Sequence, residues 1–311
     1  MTMTFGKKTL SLIGAGLLIL LAAIWFIGNI YATRAAEEKI TAALNSTPLA
    51  DEIHWEKLNA NIFGTVTMKN LALGKGKSFL TVQKLQLSGF ENSPSSLQGK
   101  LLVTGLADAN GQSPLLDNEL LQNAGYNKAD PVNFSLDIDA QKTQGTAQIS
   151  LALDQREVIK LNASFALSQA QQLMSLLSSA MEGGKEAFNP MMFFSLGAML
   201  EPIRINNTEI RLDDQGYIKR VNTLVKRYDI PLAPSENNLD TKKFAKEQHK
   251  ARYEQALQQC TQSSSNGQFF DKPVDSCKAI AKFMFEESDS LKLKLKPFPL
   301  SQLNKLVLSV F

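Results

Sequence analysis

The sequence predicts an α+β protein: a single N-terminal transmembrane helix, then a curved antiparallel β-sheet domain with packed helices, then a helical C-terminal part. Three observations predict it. An uncharged run extends from Leu10 to Tyr31. Apolar and polar residues alternate through most of the chain from Ile53 to Leu167, the period of strands with one dry face. Beyond Ser168, apolar residues recur at helical spacing in several stretches. The chain accordingly divides into residues 1–8 as a cytoplasmic tail, 9–31 as an anchor, 32–48 as a stalk helix, 49–235 as a β-rich domain with helices near 168–200, and 236–311 as a helical segment with a disulfide and a final strand.

At about 1.5 Å of rise per residue, the run from Leu10 to Tyr31 covers roughly 33 Å as a helix, the hydrocarbon thickness of a bilayer. Lys7 and Lys8 before it, and Ala32, Ala35 and Ala36 after it, would also suit a cleaved signal peptide. However, signal-peptide cores run only about 7 to 15 residues. Trp25, Phe26 and Tyr31 stand near the far end as interfacial anchors. We read an uncleaved anchor. The lysine pair precedes the run, while Arg34, Glu37, Glu38 and Lys39 balance one another after it, so the N-terminus is expected in the cytoplasm and the rest outside.

The formal net charge is +3 with no block of like charge, and no nucleic-acid partner is expected. Cys260 and Cys277 are the only cysteines, and both fall in the exported part, where a disulfide between them can persist. With His54 and His249 they lack the spacings of a metal site, so neither metal nor cofactor is expected.

Residues 32–44 continue as a helix that Asn45 to Pro48 stops, a stalk lifting the next domain off the lipid. Two strands then break near Phe63 and Gly64, and a third follows in SFLTVQKLQL. Val66 and Met68 are followed by Leu71 and Leu73, and Leu80 and Val82 by Leu85 and Leu87, each with a slip of one residue, as at a β-bulge in a curved sheet. GKLLVTGLAD is a further strand, and PLLDNELLQNAGY a short helical connection. From Val132 to Leu167 three strands form an antiparallel meander with a dry and a wet face.

Ser168 and Gln171 read as a capping box opening a helix through Leu173, Leu176, Leu177 and Ala180. PMMFFSLGAML, from Pro190, is a second helix, apolar almost all round and too short to span a bilayer. It covers the sheet, or else Met191, Met192, Phe193, Phe194 and Met199 line an adaptable apolar ligand site. IRINNTEIRL returns to strand. GYIKRVNTLVKRY is a short basic helix or irregular edge, residues 240–260 form a solvated helix, and KPVDSCKAIAKFMFEE forms another. Leu291, Leu293 and Leu295 alternate with Lys292, Lys294 and Lys296 as an edge strand, before a final apolar helix or turn.

Catalytic patterns are missing. GKGKS from Gly74 to Ser78 lacks the first glycine and the strand-to-helix context of a phosphate loop and reads as a hairpin. A Ser-His-Asp site would have to use His54 or His249, neither with a visible partner. Asp213 and Asp214, like Asp137 and Asp139, read as turn or wet-face residues. Asn45, Asn133, Asn162 and Asn206 lie in N-x-S/T sequons, three of them on strands where a glycan fits poorly. No enzyme is expected.

The anchor, the stretch NIFGTVTMKNLAL followed by FLTVQKLQLSGF, and IRINNTEIRLDDQGYIKRV resemble bacterial inner-membrane-anchored periplasmic proteins of the AsmA-like and YdgA-like type. The helical part from Asp240 to Glu287 falls outside the resemblance. The resemblance implies a curved sheet whose dry face holds acyl chains, a role in envelope lipid homeostasis, no catalytic residues, and a single-pass location in the inner membrane with most of the chain periplasmic. The expected function is thus a non-enzymatic, membrane-anchored protein that binds lipid or another apolar ligand. The alternative is a structural or assembly factor whose exported part docks on another envelope protein.

Overall fold

The structure, a computed structural model, describes residues 33, 37–38, 40–41, 52–61, 64–74, 79–117, 119–175, 200–228, 241–262 and 269–303. Alternation along the chain becomes strand after strand: β1 (Ile53–His54), β2 (Lys57–Ala60), β3 (Val66–Leu73), β4 (Leu80–Asn92), β5 (Ser96–Asp108), β6 (Val132–Gln141), β7 (Thr146–Gln155), β8 (Ile159–Ser168), β9 (Arg204–Asp214), β10 (Ser290–Leu295) and β11 (Phe298–Pro299). All eleven join one antiparallel sheet in the order β1-β3-β4-β5-β6-β7-β8-β9-β10, with β2 also on β3 and β11 also on β9.

This overturns the expected α+β organisation. The described residues are mostly antiparallel strand in a single sheet, with few helices. The C-terminal part is not a helical unit, because Leu291, Leu293 and Leu295 pair opposite Leu212, Ile210 and Thr208 and extend the same sheet. Among the described residues no helix is long and apolar enough to cross a membrane. The run from Leu10 to Tyr31, on which the anchor was read, lies outside them. Periodicity reveals a strand but not its partner, and β10 finds its partner across the long excursion after β9.

The one-residue slip in β3 and β4 is present in a different form from a bulge. Partners run without shift from Val66↔Leu87 through Lys69↔Lys84 to Leu71↔Val82. Both strands change phase at one level, so apolar residues still meet apolar residues. Asn70, Gln83 and Gly105 share that level, between the pairs Lys84↔Thr104 and Val82↔Leu106. Asn70 (φ +50°) and Gly105 (φ +69°) take the left-handed backbone that makes the change of phase. The crease runs on into β6, where the Gly105 N–H donates to Asn133 Oδ1 at 3.0 Å. On β5 the crease coincides with a register shift against β6, between Val103 and Leu106; further shifts lie between Ser88 and Glu91 on β4 and between Ser164 and Ala166 on β8.

Helices pack at the margins of the sheet. The β5–β6 connection contains a 3-10 turn (Pro114–Asp117) and α1 (Glu119–Asn123); between β9 and β10 lie α2 (Tyr217–Tyr228), α3 (Thr241–Gln262) and α4 (Pro273–Met284). Asp214 starts α2, accepting the Ile218 N–H at 2.9 Å, which satisfies a donor that a helix start leaves open. Asn222 donates to Met284 O at 2.8 Å and holds α2 to the end of α4. The capping box at Ser168 does not form. Ser168 is the last residue of β8 and its hydroxyl accepts from Asn206, while the Gln171 amide donates to Gln144 O. Of the residues expected as a stalk, two are described in contact with the sheet: Ile40 is 1% exposed within the core around Leu58 and Val66, and Thr33 Oγ1 accepts the Ala60 N–H.

Candidate functional site

Strand register carries one apolar row across the whole sheet. Leu58, Met68, Leu85, Val103, Phe134, Leu153, Leu161, Leu212 and Leu291 face one another in succession from β2 to β10. The next row runs Ala60, Val66, Leu87, Leu101, Leu136, Leu151, Ala163, Ile210 and Leu293. The face is continuous but unevenly covered. At the β2–β5 side, Leu58, Met68, Leu85 and Val103 are buried in one core. At the β9–β10 side, Leu212, Leu291 and Leu293 are buried in another with Phe269, Phe270 and Phe283.

Between these two cores the face is half-covered. Phe134, Leu136 and Ile138 on β6, Leu153, Leu151 and Ile149 on β7, and Leu161, Ala163 and Phe165 on β8 form a three-by-three patch by register, and every one of them is only half-buried. Strand and residue spacings give it a span of roughly 10 Å by 14 Å. No charged or hydrogen-bonding side chain interrupts it. At one end Met174 and Leu200 pack in the cluster that touches Ile138 and Ile149. Tyr126, Val158 and Tyr217 close the other end, against Ile159.

The wet face has the opposite chemistry. Glu209 on β9 meets Lys294 at 2.6 Å and Lys292 at 3.6 Å on β10. The hydrogen bond from Lys294, aided by the charge of Lys292, holds the Glu209 carboxyl below the ordinary carboxylate range, and Glu209 in turn raises Lys294. Arg211 meets Asp213 at 3.0 Å. Asp137 and Asp139 stand on the same face of β6, Asp139 accepting from Gln98 at 3.1 Å.

The residues singled out in the sequence are distributed as follows. Met191, Met192, Phe193, Phe194 and Met199 lie outside the described residues. Cys260 of α3 and Cys277 of α4 form a disulfide, Cα–Cα 5.7 Å, with Cys277 fully buried. His54 is exposed on β1, whereas His249 on α3 packs its ring edge-on to Phe285, so the structure does not bring the two histidines together. Among the described residues no group of three or more His, Cys, Asp or Glu side chains is placed to hold a metal ion. Sequence reading placed the nine patch residues on the dry face and, through the resemblance, gave that face as a whole to acyl chains, but singled out none of the nine, because alternation is the same under a closed core and an open surface.

No protein-family model matches the chain, and no curated protein matches it.

Proposed function

We propose that this chain is a non-enzymatic protein of the bacterial cell envelope, held at the periplasmic side of the inner membrane, that binds a lipid acyl chain or similar apolar ligand on the central patch of its sheet. The observation that supports it is the change of cover along a single face. The row from Leu58 to Leu291 is buried at both ends and half-buried at Phe134, Leu153 and Leu161 in the middle. Apolar surface left at the centre of a face and framed by closed cores favours an apolar occupant. The uncharged run from Leu10 to Tyr31 and the disulfide favour the location.

The test is site-specific photo-crosslinking in cells, with a benzophenone side chain at Leu151 on the patch and, as reference, at Gln148 on the wet face of the same strand. A lipid-sized mass added at Leu151 and absent at Gln148 is expected. A crosslink from Leu151 to protein alone would overturn the reading and leave the patch as a covered core or a protein-docking surface.

A further inference from the structure

A row of lysines that form no ion pair among the described residues crosses the wet face near the first edge of the sheet. Register sets Lys57 of β2 opposite Lys69 of β3, and Lys69 opposite Lys84 of β4. Three ammonium-bearing side chains therefore leave one face of three neighbouring strands, roughly 5 Å apart at their bases. Lys57 and Lys69 are exposed and Lys84 is half-buried. The row continues to Thr104, which is uncharged. No acidic residue occurs in β2, in β3, or in β4 before Glu91. Glu56, next to Lys57 in the chain, keeps its charge nearby, while its carboxylate accepts from the side-chain amide of Asn70 and its N–H donates to Lys69 O. It makes no ion pair with the three lysines, leaving the row in excess positive charge. Among the described residues no carboxylate makes an ion pair with any of the three.

The far edge of the same sheet solves the problem differently, with Glu209 between Lys292 and Lys294. Protection of an edge against unwanted pairing accounts for Lys57 alone, since Lys69 and Lys84 stand on strands paired on both sides. Like charges directly opposite one another weaken a sheet, and an external anion relieves that repulsion.

We infer that the row of Lys57, Lys69 and Lys84 docks the wet face on the anionic phosphate headgroups of a lipid bilayer. Chain continuity singles out the bilayer among anions. Thr33, two residues beyond the end of the uncharged run, accepts the Ala60 N–H at 3.2 Å, and Ala60 ends the strand that Lys57 begins. The three-residue step from Ala60 to Lys57 is roughly 10 Å along the strand, about one Debye length at 0.1 M salt. The inference rests on the membrane location proposed above and not on the ligand of the dry face.

The test uses the full chain in nanodiscs of phosphatidylcholine, with and without phosphatidylglycerol, and reads amine acylation at each lysine by mass spectrometry. Lys57, Lys69 and Lys84 are expected to react about fivefold more slowly in the anionic discs, matching the attraction of one lysine to an anionic leaflet. Salt at roughly 1 M, where the Debye length is about 3 Å, removes the protection. Lys292 serves as the unchanged reference. Equal rates in both discs overturn the docking row while leaving the location intact; protection in neutral discs by inorganic phosphate overturns it in favour of a soluble anion. A chain that does not enter the discs overturns the location and the row together.

Discussion

The hydroxyl of Tyr126 donates to the main-chain oxygen of Glu157 at 2.7 Å, joining the β5–β6 connection to the β7–β8 turn. Glu157 holds the left-handed backbone of that turn, with φ +61°, and the Arg220 guanidinium lies 4.1 Å from the centre of the Tyr126 ring. Tyr126→Phe is therefore expected to cost about 1 kcal/mol, the net value of one such bond, in denaturant unfolding. Burial raises the Tyr126 phenol above its ordinary value, and Arg220 opposes this. The fold thus favours the neutral phenol, a contribution fully present below the ordinary tyrosine pKa and lost as pH rises through the raised value. Burial raises Tyr217 as well, so ultraviolet titration should place both tyrosines late, and Tyr126→Phe should remove one of the two while leaving the other.

The disulfide closes a loop of sequence separation 17 between α3 and α4. On the chain-entropy account this contributes about 3 kcal/mol. Replacing both cysteines by serine should lower stability by about that amount in chemical denaturation. Fluorescence of a probe on α3 should report the loss first there, because α3 contacts the rest of the described fold chiefly through α4.

Gly105 is the hinge of the crease. A Cβ at this position would meet the Gln83 side chain at 2.5 Å, and the φ of +69° disfavours any L side chain. Gly105→Ala is expected to cost at least about 1–2 kcal/mol from backbone strain alone. A Gln83→Ala background should recover the steric part and leave the strain. A double-mutant cycle with no coupling would refute that division.

Leu87 and Leu151 occupy the same apolar row, Leu87 at 1% exposure and Leu151 half-buried. Leu87→Ala should cost about 2–5 kcal/mol, as in a closed core. Leu151→Ala should cost nearer 1 kcal/mol, since less area returns to water. Equal costs from thermal unfolding would mean that the centre of the face is as closed as its margin.

Most of the strands were legible because one-sided burial imposes a period of two, and the three strands between Val132 and Leu167 keep it, broken only by the two turns that join them. The phase slip at Asn70 and Gln83 was legible too, but not its geometry. Two strands slipping at the same level preserve register, and only pairing shows that. Ser168 and Gln171 matched a capping pattern by residue type, yet Asn206, remote in sequence, competes for the Ser168 hydroxyl. The lysine row was invisible for the same reason. Lys57, Lys69 and Lys84 are ordinary wet-face residues until register lines them up. The half-covered patch depends on what packs over the sheet, which alternation does not encode.

Strand order from β3 to β9 follows the chain, each strand pairing with the one made just before it, whereas β10 pairs with β9 only after residues 215–289 have intervened. During synthesis the first part can therefore zip up by local closures while the last strand is still missing. At roughly 5–20 residues per second, β9 waits roughly 4–15 s with its outer ladder of N–H and C=O groups bare. In that interval the edge from Arg204 to Asp214 is the most adhesive part of the nascent molecule, and another copy's β10 is an equally good match for it. Domain-swapped dimers formed through β10 are the misassembly that this topology invites, and slow translation or crowded ribosomes would raise their yield.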